Sequence, residues 1–269
     1  MRFSHDGHQI HYVAAGQGAP VLFLHGLGGR VENWVHQIAF VSKTHQAIAI
    51  DLPGHGRSEG REVSFLEYWR SIEALLDHLE VSSVTMCGLS KGARAGLMLA
   101  ARRPERVSGM VVVNAFTHLT PEDAARRKAL YDLLTLGDGG ASWAEALLDQ
   151  MGVRAHPAIV RGFRRSLQDI DPAHIRARFS EMVDFDQRPE LKEIRCPTLI
   201  VRGERDDFVP AYCASDLHTG INGAGKVTLD LGHLPYLEDP SAVNAAIGAW
   251  LDRQSLRRGP SGRALEPGF

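Results

Sequence analysis

Short apolar runs recur along the chain at 21–24, 46–50, 81–86, 107–114, 197–201 and 227–231, and each stops at a turn-forming segment. Largely β-branched or leucine-rich runs bounded in this way fit strands buried on both faces of a sheet. Between them the apolar positions fall at helical spacing. Trp34, Ile38 and Val41 form one such set; Leu66, Trp69, Ile72, Leu75, Leu76 and Leu79 form a longer one, with Ser64 as its capping residue. Ala93 to Arg103 and Ala242 to Leu251 follow the same period. Ahead of these, His8 to Val13 alternates in polarity and reads as a strand, with a turn over Gly16 to Pro20. A hairpin-like start followed by strand–helix alternation predicts a parallel sheet with helices on both faces.

The alternation stops between Asn114 and Pro197. About 80 residues stand there, where a crossover helix and its loops need about 30. Their apolar pattern is helical in pieces, at 121–134, 142–151, 157–167 and 172–183, which predicts an inserted helical cap. Its arginines (Arg126, Arg127, Arg161, Arg164, Arg165, Arg176 and Arg178) are balanced by acids and read as solvated surface. The expected partition is a core over 1–116 and 193–255, a cap over 117–192, and a disordered tail over 256–269, where Gly and Pro displace any periodicity.

Composition narrows the choice of partners. The 269 residues are 44% hydrophobic and 23% charged with a formal net charge of −2, so neither nucleic acid nor an anionic membrane surface is expected. No apolar run approaches the length of a membrane span, and the amino terminus lacks a signal-peptide core. Cys87, Cys196 and Cys213 are odd in number and far apart, which fits a reduced, cytoplasmic protein. The thirteen histidines include no pair or cluster at ligand spacing, so no metal is expected. Homodimer formation is left open.

The chemistry gathers around Gly88-Leu89-Ser90-Lys91-Gly92, placed between an apolar strand and an Ala/Leu-rich helix. A serine hydroxyl is a weak nucleophile, so it must be presented on a tight turn within reach of a base, with small residues two positions either side. The base needs an acid to fix its tautomer. Candidates follow in the order acid, then histidine, each after a later strand: Glu204, Asp206 and Asp207 in one loop, His233 in the next. Asn114, at the end of the preceding strand, cannot carry the charge. Two backbone amides must hold the developing oxyanion; Lys91 and Leu27, from the His25-Gly26-Leu27-Gly28 loop, are the candidates. His25, beside Gly26, is read as shaping that loop rather than as the base.

Together His25-Gly26, Asp51-Leu52-Pro53-Gly54-His55-Gly56-Arg57-Ser58, the Ser90 turn, Gly203 to Pro210 and Gly232-His233 resemble the α/β-hydrolase superfamily over about residues 3–254. The resemblance implies an eight-stranded, mostly parallel sheet flanked by helices, a cap roofing an acyl pocket, no cofactor, and Asp206 as the acid. Within the superfamily the chain is similar to 3-oxoadipate enol-lactonases, small carboxylesterases and meta-cleavage C–C hydrolases. Lys91 departs from the Met usual in the lactonase elbow, and Ser90 argues against branches with a carboxylate nucleophile. The implied activity is cleavage of a small ester or lactone by a Ser90–His233–Asp206 triad. C–C or amide hydrolysis, or a receptor-like member that binds without turnover, stand as alternatives. Phe116, Trp143 and Met151 are the expected substrate-pocket residues.

Overall fold

Each apolar run becomes a strand of one sheet. The computed structural model of the chain describes residues 1–258, with side chains as far as residue 256. Strands β1 (Arg2–His5), β2 (His8–Ala15), β3 (Pro20–Leu24), β4 (Gln46–Ile50), β5 (Val84–Leu89), β6 (Val107–Val113), β7 (Thr198–Gly203) and β8 (Gly225–Leu229) lie in the order β1-β2-β4-β3-β5-β6-β7-β8. β2 runs antiparallel to both neighbours, and the other pairings from β4 to β8 are parallel. Because successive side chains point to opposite faces, each central strand feeds two cores. Val21, Phe23, Ala47, Ala49, Val111 and Val113 enter one, and Leu22, Leu24, Ile48, Ile50, Met110 and Val112 enter the other.

Helices α1 (Val35–Val41), α2 (Tyr68–His78), α3 (Lys91–Arg102), α4 (Pro121–Asp132), α5 (Ala141–Gln150), α6 (Pro157–Ser166), α7 (Pro172–Asp184), α8 (Ala211–Gly220), α9 (Pro235–Glu238) and α10 (Pro240–Arg258) complete the order. Val41 of α1 and Val243, Ile247 and Trp250 of α10 cover the first core; α2 and α3 pack on the second. Helix α3 is buried from Lys91 to Ala100. Ser64 does cap, its Oγ accepting from Leu66 N–H at 3.2 Å, though the chain enters α2 through a 3-10 turn.

Some boundaries differ from the sequence expectation. The strand expected at 81–86 runs 84–89, because Val81 N–H closes the end of α2 on Leu76 O at 2.8 Å. The last strand is 225–229 rather than 227–231. Helix α8 was not anticipated, since its inward positions, Cys213, Ala214 and Leu217, carry little apolar signal. Residues 256–258, expected in the disordered tail, continue α10, and the rest of that segment lies outside the described residues. Among the described residues no helix is long and apolar enough to cross a membrane.

Helices α4 to α7 stand between β6 and β7. Two of the arginines read as solvated are buried in fact: Arg127 donates to Phe208 O at 2.8 Å and Asp207 O at 2.6 Å, and Arg178 donates to the carbonyls of Glu62 and Val63. Both join the insertion to core loops, a role that a charge count cannot distinguish from solvation.

Candidate active site

Ser90 sits between the end of β5 and the start of α3 with φ 48° and ψ −113°, a backbone conformation that L-residues rarely adopt. The surroundings enforce it. A Cβ at Gly88 would lie 2.5 Å from the Ala93 backbone, and one at Gly92 would lie 2.4 Å from Leu24 O. Ser90 N–H donates to Val113 O at 2.9 Å, which fixes the turn to the neighbouring strand. The two glycines are thus a steric requirement of the turn.

The loop after β7 carries Asp206, 1% exposed, while Glu204 and Asp207 point to solvent. One Asp206 oxygen accepts the Phe208 and Val209 amides, each at 3.0 Å; the other lies 2.8 Å from His233 Nδ1. An ionised carboxylate only accepts, so Nδ1 carries the imidazole proton and Nε2 keeps its lone pair. The Phe208 ring meets the imidazole edge-on at 5.1 Å, and His233 N–H donates to Met151 O at 2.7 Å. Burial and this bond separate Asp206 from its acidic neighbours, which spacing alone left open.

A cavity of about 390 Å³ is lined by both Ser90 and His233. Leu27 reaches it too. Lys91 opens α3, and the amides of a helix's first turn have no intrahelical acceptor, so its N–H is free of the helix ladder. Of the three expected pocket residues only Met151 lines the cavity. Phe116 is buried beneath the Arg94 guanidinium, 4.9 Å from its ring centroid. Trp143 is 2% exposed and packs against Tyr131 and Phe163 with centroids 5.5 and 5.7 Å away. Both serve as packing elements, Trp143 within the helical insertion and Phe116 just after β6. Tyr131, Leu147, Ile159 and Phe163 of the insertion and Phe208 of the loop after β7 line the wall instead. Helical periodicity marks the first four as apolar but not which face meets a ligand, and a lone loop aromatic carries no periodic signal at all.

Behind the turn lies a polar layer. His25 Nε2 accepts from Leu52 N–H at 3.0 Å and Nδ1 donates to Gly26 O at 2.7 Å, so both nitrogens are committed to shaping the loop. Asp51 accepts Val31 N–H at 2.7 Å and Arg57 N–H at 2.9 Å, and pairs with His11 Nδ1 at 2.8 Å. The Lys91 amine is fully buried, 3.0 Å from His55 Nε2 and 4.8 Å from the Tyr68 ring centroid. Burial, and then the nearby Arg178 guanidinium, hold its pKa well below the usual lysine range. Burial, with Lys91 adding to it, pushes His25 down to about 3 and His55 well below the usual imidazole value. Among the described residues no group of three or more His, Cys, Asp or Glu is placed to hold a metal ion.

The chain has relatives among known proteins. A family model described as alpha/beta hydrolase fold matches residues 19–240. The chain is 26% identical over 249 residues to 3-oxoadipate enol-lactonase 2 of Acinetobacter baylyi, covering 91% of this chain and 93% of that protein. It is 29% identical over 248 residues to the dihydrolipoyllysine-residue acetyltransferase component of the acetoin cleaving system of Pseudomonas putida; there 87% of this chain spans 64% of the relative's length. Among solved structures, the enol-lactonase from Burkholderia xenovorans LB400 superposes with a TM-score of 0.83 at 25% identity, over 94% of this chain and 100% of that one.

Proposed function

This chain belongs to the alpha/beta hydrolase fold family, and on that premise we propose that it is a cofactor-independent serine hydrolase cleaving a small carboxylic ester or lactone through an acyl-enzyme. One observation carries the reading: the buried Asp206–His233 pair opens onto the same cavity as the strained Ser90 turn. Ser90 Oγ attacks the carbonyl carbon as His233 Nε2 takes its proton, and the Leu27 and Lys91 amides hold the resulting oxyanion. The C–O bond to the leaving group then breaks, and that oxygen receives the proton from His233. Water repeats the sequence in reverse, giving up a proton to His233 and releasing the acid, while Ser90 regains its own. Helices α4, α5 and α6 roof the acyl pocket. The reaction requires the lone pair of His233 Nε2 to accept the Ser90 proton.

Reaction with a fluorophosphonate and turnover of short-chain nitrophenyl esters test this directly. Ser90→Ala is expected to abolish labelling and to lower kcat by about 10⁴–10⁶-fold. Undiminished labelling of that variant would refute Ser90 as nucleophile. Labelling of Ser90 without turnover of any ester, lactone or amide would favour a receptor-like protein instead.

A further inference from the structure

Ser90 and His233 account for the reacting part of the cavity; the rest of its wall bears on which acyl group fits. That wall is mainly apolar: Leu147, Met151, Ile159 and Phe163 come from the insertion, Leu27 and Phe208 from the core. Among the described residues a single wall residue, Arg30, carries a permanent charge, and its guanidinium lies 3.0 Å from the carboxylate of Asp169, between α6 and α7. Two neutral polar side chains of the wall are engaged as well, and His36, Tyr131 and Tyr236 also border the cavity. Asn33 Oδ1 accepts Arg30 N–H at 2.7 Å, and the Ser166 hydroxyl donates to Phe163 O at 2.7 Å.

Resting on the hydrolase reading above, we propose that the substrate's acyl group is apolar and carries no carboxylate, and that Asp169 enforces this by cancelling the charge of Arg30. A carboxylate entering the cavity gives up water against a mainly apolar wall and, among the described residues, meets no unpaired permanent cation, and an uncompensated buried charge is expensive. The Arg30–Asp169 pair is half exposed, so its own bond strength contributes little. Selectivity arises from the anion's lost hydration and from the absence of net positive charge to offset it. A volume of about 390 Å³ suits an acyl chain of medium length.

Two nitrophenyl esters of equal chain length separate the cases: the hexanoate, and the adipate half-ester, which ends in a carboxylate. The protein is expected to favour the hexanoate in kcat/KM by about tenfold or more at low ionic strength. Asp169→Asn leaves Arg30 unpaired. It is expected to raise kcat/KM for the half-ester by about three- to fivefold, with hexanoate turnover unchanged and the gain lost in about 0.5 M salt. Equal or better turnover of the half-ester by the wild-type chain overturns the proposal, as does an unchanged ratio in Asp169→Asn. Absence of turnover of both esters, together with absence of fluorophosphonate labelling at Ser90, removes the hydrolase reading itself, a result distinct from loss of selectivity.

Discussion

Lys91 sends its amine inward from the elbow, and the interior offers it His55 Nε2 and the Tyr68 ring rather than a carboxylate. An unfolded chain holds a proton on this amine at pH values where burial disfavours one, so below the usual lysine range the group costs stability. Lys91→Met, which keeps the backbone N–H, is expected to raise the urea midpoint at pH 7, corresponding to a gain in unfolding free energy on the order of 1 kcal/mol, while preserving ester turnover. A lower midpoint would show that the contact with His55 outweighs the burial cost. The buried imidazoles have the same sign. With His25 held at about 3 and His55 well below its usual value, the unfolded chain binds protons below about pH 6.5 that the folded chain refuses. Stability therefore falls as pH drops below that value, by up to about 1.4 kcal/mol per pH unit for each such histidine. Urea titrations at pH 7.5 and 5 check this, and equal midpoints would contradict it.

At the scale of elements, the ends of β6 and β7 and the loop after β8 are joined by one side chain. Asn114, in the left-handed region with φ 41°, donates to Gly232 O at 3.0 Å and His233 O at 3.1 Å, and accepts Gly203 N–H at 2.8 Å. The loops that it ties run in contact, since a Cβ on Gly203 would meet Gly232 O at 2.1 Å. Asn114→Leu leaves three buried backbone groups unpaired, at about 1–3 kcal/mol each. Because it loosens the His233 loop against the Asp206 loop, kcat for a nitrophenyl ester is expected to fall about 100-fold under conditions where circular dichroism shows the variant folded. An unchanged kcat would assign Asn114 to stability alone. The sequence excluded Asn114 as the acid but held no hint of this clamp, because its partners stand 89 to 119 positions away.

Over the whole molecule, Arg94 of α3 fastens the helical insertion at both stems. It donates to Thr117 O at the entry and to Met182 O, Phe185 O and Gln187 Oε1 at the exit. Arg94→Met removes these bonds and is expected to speed proteolytic cleavage within 118–185 and to cost about 3–5 kcal/mol. Cleavage at the wild-type rate would mean that the insertion holds its place through apolar packing. A charged residue in the middle of a buried, Ala/Leu-rich helix was the one available sign of this anchor. What the sequence by itself determined was local and periodic: the strand–helix alternation, the interruption by helical pieces, and the serine turn, whose glycines are demanded by atoms within a few residues of it and by the adjoining strand. Spacing left three acids open and resemblance pointed to Asp206, whose bond to His233 the tertiary structure supplies. Tertiary structure alone decided which faces of the inserted helices line the cavity, and that Phe116, Trp143, Arg127 and Arg178 turn inward. Those outcomes depend on side chains meeting across elements far apart in the chain, where burial and a single hydrogen bond separate candidates that look alike when read in order.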